Sequence, residues 1–433
     1  MRLRTKIAAL CAVVLATSLS ACAPGSPQSD AAPSAPASVD FNSFKGQTLT
    51  YVYFTDGPDE QATKDMIAKF EAATGAKVNL QIVPFANLAT SLQARLSAGN
   101  APEVARVTDW HPYADKEVDF KQYFGSSYPS EFASGAAATA MDSAGHMLAV
   151  PSDVTINGPM INVDAFKKAG VSVPTKWTWD ELIADAKKVA AANNMPYAFA
   201  IDKSGNRLST ILSQFGTVMI GPDGKNALDK DKAAKALTFF TDLVKSNVSP
   251  KDFWLGSGSK YTGANEIFLA GQVPVYLSGP WQVGAFAKSA TFNWAAAPNA
   301  CQERCGGFPG GKFMIAFKDS KNPALAAAFV QWMNRSENQR DVDKTAYWLP
   351  TRKDLTDSGV EYASRQSDMS SFLSQINATP SDTWTDANSP AFTASATALI
   401  SETDKVVAGQ QDVRTAVENI SAAIDKAIKA AGS

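Results

Sequence analysis

Four cysteines, two histidines and nine tryptophans frame the chemistry open to this 433-residue chain. His111 and His146 stand at no ligand spacing to the cysteines, so no zinc site is expected. The G-x-S-x-G, H-E-x-x-H and phosphate-loop patterns are absent from the sequence, and with them the usual placements of a nucleophile, a catalytic metal or a nucleotide. Aspartate and glutamate together number 42. Two carboxylates facing each other across a bond are enough for glycoside hydrolysis, so an exported glycoside-processing enzyme stays open as an alternative at this point. Trp110, Trp254, Trp281, Trp348 and Trp384 fall in expected loops or at element ends, where sites are usually built. Trp177 and Trp179 read as packing at a helix entrance.

The first residues are an address. Arg2, Arg4 and Lys6 precede an apolar run from Ile7 to Leu19, which is shorter than the roughly 20 residues of a spanning helix. A basic start followed by a short apolar run is a secretory signal. It ends in Leu19-Ser20-Ala21-Cys22, which looks like a bacterial lipobox, where cleavage precedes the cysteine and the thiol carries a lipid. Residues 1–21 are therefore expected to be a signal peptide, with Cys22 lipidated. The body is expected outside the cytoplasm, anchored to the outer face of the bacterial cell membrane. Residues 22–43 are rich in Pro, Ala and Ser and read as a flexible linker, since they bury too little apolar surface to offset the entropy of ordering. A chain of that length spans roughly 25 Å. In an exported protein Cys301 and Cys305, followed by Gly306-Gly307, are expected to be joined as a disulfide. The loop closed is short, so its stabilisation lies at the low end of the disulfide range.

The body, from Phe44 onward, is long enough for two domains. Its 45% hydrophobic and 19% charged content suits an ordinary globule. A net charge of −2 without a basic block argues against nucleic acid. Leu49 to Phe54 is a continuous β-prone run. Asp59 is placed to cap a helix carrying Met66, Ile67 and Phe70 and ending at Gly75. Val78, Leu80 and Ile82 alternate as a strand, Leu88, Leu92 and Leu96 line a helix, and Glu103 to Val107 is a further strand. Such alternation predicts an α/β fold with a mostly parallel sheet. Further on, Thr178 and Glu181 form a capping box, Pro323 opens a helix after Asn322, and Val413, Val417, Ile420, Ile424 and Ile428 mark an amphipathic C-terminal helix.

A set of short segments then stands out in order: Ala98-Gly99-Asn100-Ala101-Pro102-Glu103-Val104; Val150-Pro151-Ser152-Asp153 running to Ile161-Asn162-Val163-Asp164-Ala165-Phe166 and Gly170; Pro174-Thr175-Lys176-Trp177-Thr178-Trp179; Phe268-Leu269-Ala270-Gly271-Gln272 with Ser278-Gly279-Pro280-Trp281; Phe308-Pro309-Gly310-Gly311; and Trp348-Leu349-Pro350-Thr351-Arg352. Together they resemble the extracellular solute-binding proteins of family 1, the group that includes maltose-binding proteins. The stretch Thr55-Asp56-Gly57-Pro58-Asp59, where that family varies, names no sugar.

The resemblance implies a two-lobed, type II periplasmic-binding-protein-like fold with a ligand cleft between lobes joined by crossover strands. It places the N-terminal lobe at 44–152 plus about 313–374 and the C-terminal lobe at 153–312 plus about 375–433. It further implies a monomer without cofactor that captures a small molecule, works with the transmembrane permease subunits of an ABC importer, and favours sugar cargo. Polyamine, phosphate ester, peptide or metal are the alternatives, although iron carriers of this kind use adjacent tyrosines and this chain has no Tyr-Tyr pair. A sugar needs planar polar partners for its hydroxyls and an aromatic plate for its C–H face. On that expectation Trp281, Trp110, Trp254 and Trp348 are candidate plates. Asp56, Asn87, Asp109, Asp153 and Arg352 are candidate polar partners. Gly310 and Gly311 are candidate sites of backbone approach.

Overall fold

Apolar runs flanked by glycine and proline become the strands of two separate sheets. In this computed structural model, which describes residues 40–432, they are β1 (Thr48–Tyr53), β2 (Lys77–Ile82), β3 (Val104–Val107), β4 (Val150–Ile156), β5 (Gly158–Asn162), β6 (Phe199–Ile201), β7 (Val275–Ser278), β8 (Trp294–Ala296) and β9 (Pro309–Ala316). The expected signal peptide, Cys22 and nearly all of the expected linker lie outside the described residues. The first sheet has the order β2-β1-β3-β9-β4 and the second β6-β7-β5-β8. The expected mostly parallel sheet is corrected to mixed ones. β1 pairs parallel with β2 and β3, and β6 with β7. β9 runs antiparallel to β3 and β4, and β5 to β7 and β8. The cause is chain crossing: β4 leads out of the first sheet directly into β5 of the second, and β9 brings the chain back.

Local signals set the helices. Asp59–Thr74 buries Met66, Ile67 and Phe70 and stops at Gly75, whose φ of 71° suits a residue without Cβ. Pro58, not Asp59, is its cap residue, because the Asp59 side chain is drawn inward. Thr178 and Glu181 close both bonds of the capping box on Trp179–Asn193. Pro323 takes the first turn of Pro323–Met333. The helix Val413–Ala431 buries Val417, Ile420 and Ile424 against the helices Phe392–Val407 and Lys230–Lys245.

Three apolar clusters follow the sheets. One surrounds the first sheet with Tyr51, Phe70, Ile315 and Phe329. The others surround the second sheet, one with Phe199, Leu237 and Ile420, the other with Met160, Phe268 and Tyr276. Met369 and Phe372 belong to that last cluster. The helix Gln366–Ala378 therefore packs on the second sheet, ahead of the expected return at 375, and its Asp368 accepts a bond from the Ala296 amide at 2.7 Å. At the other end Phe41–Phe44 already forms a turn capped by Asp40, with Phe41 lying 5.8 Å from the Trp332 ring. The last residues of the expected linker are thus packed on the body through Phe41. Cys301 and Cys305 are disulfide-bonded, and the loop they close sets the Glu303 and Arg304 amides on the Gln214 carbonyl.

Where the chain crosses between the sheets the backbones nearly touch. A Cβ added at Gly307 would lie 2.0 Å from the Asn157 carbonyl oxygen. Gly307→Ala is expected to cost about 1–3 kcal/mol through forced backbone displacement and to lower the calorimetric melting temperature. An unchanged melt would show that the crossing yields freely.

Candidate functional site

A cleft of about 410 Å³ opens between the carboxyl ends of the two sheets' strands. From the first sheet come Phe54 and Asp56 beyond β1, Thr108 to His111 beyond β3, Thr155 of β4 and the β9 stretch Pro309–Phe313. From the second come Asp202, Asn206 and Arg207 beyond β6, and Trp281 and Gln282 beyond β7. Asn388, Ser389, Phe392 and Thr393 close one side.

The floor is a cluster of buried charges. Arg106, in the middle of β3, donates from Nη1 to Asp59 Oδ2 at 2.9 Å and to the Phe54 carbonyl at 2.6 Å, and its Nη2 lies 3.2 Å from Asp56 Oδ2. Lys312, on β9, reaches Asp56 at 3.0 Å and Asp153, on β4, at 2.9 Å. Its amide donates to the other Asp153 oxygen at 2.9 Å. Aromatic rings sandwich the guanidinium, with Cζ 4.5 Å from the Phe54 centroid and 4.6 Å from that of Trp348. Burial opposes ionisation of Asp56, but the Lys312 and Arg106 charges outweigh it and hold the carboxyl below its usual range. Burial prevails at Asp153, which is raised despite the same two cations. Of these groups Asp56 shows the most surface, 17% of its side chain, and faces the cleft.

The opposite wall is organised by Asp202. Its oxygens accept from Tyr276 Oη at 2.5 Å, Ser278 Oγ at 2.8 Å and Arg207 Nη2 at 3.0 Å. Arg207, fixed also on Asn157 Oδ1 at 2.9 Å, holds its Cζ 4.4 Å from the Trp281 ring centroid. A Cβ at Gly279 would strike that indole at 2.0 Å, so the missing side chain there makes room for it. The two sides also touch directly: Thr393 Oγ1 donates to Asp109 Oδ2 at 2.7 Å.

The structure brings Asp56, Asp109, Trp110, Trp281, Gly310 and Gly311 together on the cleft. Trp110 is 2% exposed; its Nε1 donates to the Thr139 carbonyl and the His111 ring covers it at 4.0 Å. Asp153 lies under the cleft, bound to Lys312. Trp348 also lies beneath it, against Arg106. The other three candidates sit elsewhere. Trp254 is 1% exposed and packs on Phe240 at 4.6 Å. Arg352 pairs with Glu131 at 2.6 Å. Asn87 is exposed within the helix Phe85–Ser97, which starts earlier than the leucine stripe suggests. Sequence reasoning missed Arg106, Lys312, Asp202, Arg207 and Phe85. Phe85 stands 60% exposed at the rim, 5.0 Å from the Phe54 ring. A lone cation inside an apolar strand was the available signal for Arg106 and Lys312.

Residues 55–340 match the sequence model of the bacterial extracellular solute-binding proteins. The chain belongs to that family. Among relatives of this solute-binding protein, a maltotriose-binding protein of Pyrococcus abyssi is 25% identical over 258 residues, 58% of this chain and 54% of its own. An ABC substrate-binding protein from Listeria monocytogenes, solved in complex with cycloalternan, superposes with a TM-score of 0.76 at 22% identity, covering 88% of this chain and 98% of that one. A Thermus thermophilus maltotriose binding protein bound with maltotriose gives 0.72 at 21% identity, covering 88% and 100%. These superpositions show the two-lobed fold. Among the described residues no helix is long and apolar enough to cross a membrane.

Removing Arg106 strands Asp59, whose side chain is 1% exposed, without its cation. Arg106→Ala is therefore expected to destabilise by about 3–5 kcal/mol. Adding Asp59→Ala should recover part of that loss in a double-mutant cycle read by urea unfolding. Strict additivity would disprove the coupling.

Proposed function

We propose that this solute-binding protein captures a neutral sugar or oligosaccharide by closing its two lobes and delivers it to the permease of an ABC importer. We further propose that a lipid on Cys22 holds it at the outer face of the cell membrane. The observation that carries the cargo reading is the pairing of charges on the cleft. Asp56 is held by Arg106 and Lys312, Asp109 lies 2.9 Å from His111 Nδ1, and Asp202 and Arg207 bind each other. A charged solute would find no unpaired countercharge there. A polyol finds carboxylate and amide acceptors interleaved with the apolar faces of Phe54, Phe85, Trp281 and Phe392. The sugars bound by the relatives agree with this reading, and membership of a binding-protein family supports capture without turnover.

A sugar present at 100 times its dissociation constant adds about 2.7 kcal/mol to unfolding. A thermal-shift screen over mono-, di- and oligosaccharides is expected to find such a ligand, recovered chemically unchanged. A melt moved by an amine or a metal ion, and by no sugar, refutes the cargo. Trp281→Ala should weaken the hit about tenfold or more while leaving the ligand-free melt near that of the parent protein. Unaltered affinity would remove Trp281 from the site.

A further inference from the structure

We infer that the sugar site continues beyond the cleft into a second groove, where Trp384 is the stacking plate for the distal units of an oligosaccharide. This rests on the saccharide reading above and extends it to ligand length. The groove has a volume of about 440 Å³, close to that of the cleft itself, and within the range of small-molecule sites. Asn388 and Ser389 line both, so a chain leaving the cleft passes over them without a break. Trp384, on the turn of helix Ser381–Ala387, is half-buried and lines the groove.

Three features fit it to a neutral ring. None of the groove's lining residues is charged. The lining includes Gly135, Gly221 and Gly224, and a Cβ at Gly135 or Gly224 would meet nothing within 4 Å. An indole lining a groove that also has glycines and short or apolar side chains suits a flat apolar face. The groove is also preorganised: Asp386, two residues beyond Trp384, accepts from the Met219 and Ile220 amides at 3.1 Å each, tying the Ile220 segment to the tryptophan's helix. Gly135 and Ala138 lie on the short helix Ser134–Ala138 that packs on β4. The groove is therefore walled by both lobes, as the cleft is.

The test is calorimetric titration of the whole protein with maltose to maltohexaose and cellobiose to cellohexaose, comparing the parent with Trp384→Ala and Gly135→Leu. Gly135→Leu adds bulk to the groove lining at a position with space for a side chain. Both variants are expected to weaken binding of units of four or more about tenfold while leaving disaccharides within about twofold. The disaccharide affinity reports that the fold is intact. Long and short ligands weakened equally, or long ligands unaffected while Trp281→Ala weakens all lengths, overturns the groove and leaves the cleft. Absence of binding by every saccharide overturns both.

Discussion

Lys312 Nζ lies 2.9 Å from Asp153 and 3.0 Å from Asp56, and this three-way contact makes the cleft a fixed place. Asp153 and Lys312 stand on the two strands that carry the chain between sheets, and Asp56 stands on the loop beyond β1. One ammonium group thus ties both crossing strands to the loop beyond β1. Arg106 continues the network to Asp59. Three carboxylates and two cations are costly to bury. They hold together because each has a partner, and losing one partner costs more than replacing the set. The Asp153–Lys312 pair agrees with the β4–β9 register, in which the two residues stand opposite each other.

That arrangement also decides what the cleft offers a solute. The floor's charges are consumed by one another, and the Asp202 wall consumes Arg207. What remains for a ligand is geometry: Asp56 oxygen lone pairs, the backbone at Gly310 and Gly311, and ring faces. A polar, uncharged molecule gains hydrogen bonds there without having to break an ion pair. A charged one faces the cost of desolvation with no free countercharge. The neutral groove beside Trp384 carries the same logic further along the chain.

Local signals were legible in the sequence, and long-range ones were not. The capping box at Thr178, the proline at 323, the glycine stop at 75 and the C-terminal apolar stripe each depend on residues within a turn or two, and the structure has them. Family resemblance supplied the two lobes and six of the residues that line the cleft. It could not sort tryptophans by neighbour. Trp281 and Trp254 both sit at element ends, but Phe240 takes Trp254 into the core, whereas Gly279 lets Trp281 lie along the cleft. Trp348 was legible as a loop aromatic, but its partner Arg106 is 242 positions away. Phe85 precedes Leu88 and Leu92 by three and seven residues, the spacing of an inward stripe, so periodicity assigns it to the core. Its position at the start of the helix turns it out to the rim instead.

Direct contacts already join the two sides of the cleft, and Tyr347 and Leu349 pack in one apolar cluster with Val283 and Phe286. Thr393 donates one hydrogen bond to Asp109, worth about 0.5–1.5 kcal/mol net, and Pro58 lies against Gly284, where an added Cβ would meet its Cγ at 2.6 Å. A shift in the open–closed balance can come only from contacts that differ between the states. On the capture proposal, the ligand's own bonds to both walls supply a difference over and above these contacts. On that proposal, closure would report occupancy to the importer's permease. A groove at Trp384 walled by both lobes adds to that difference in proportion to ligand length, so a longer oligosaccharide would close the protein more firmly than a short one.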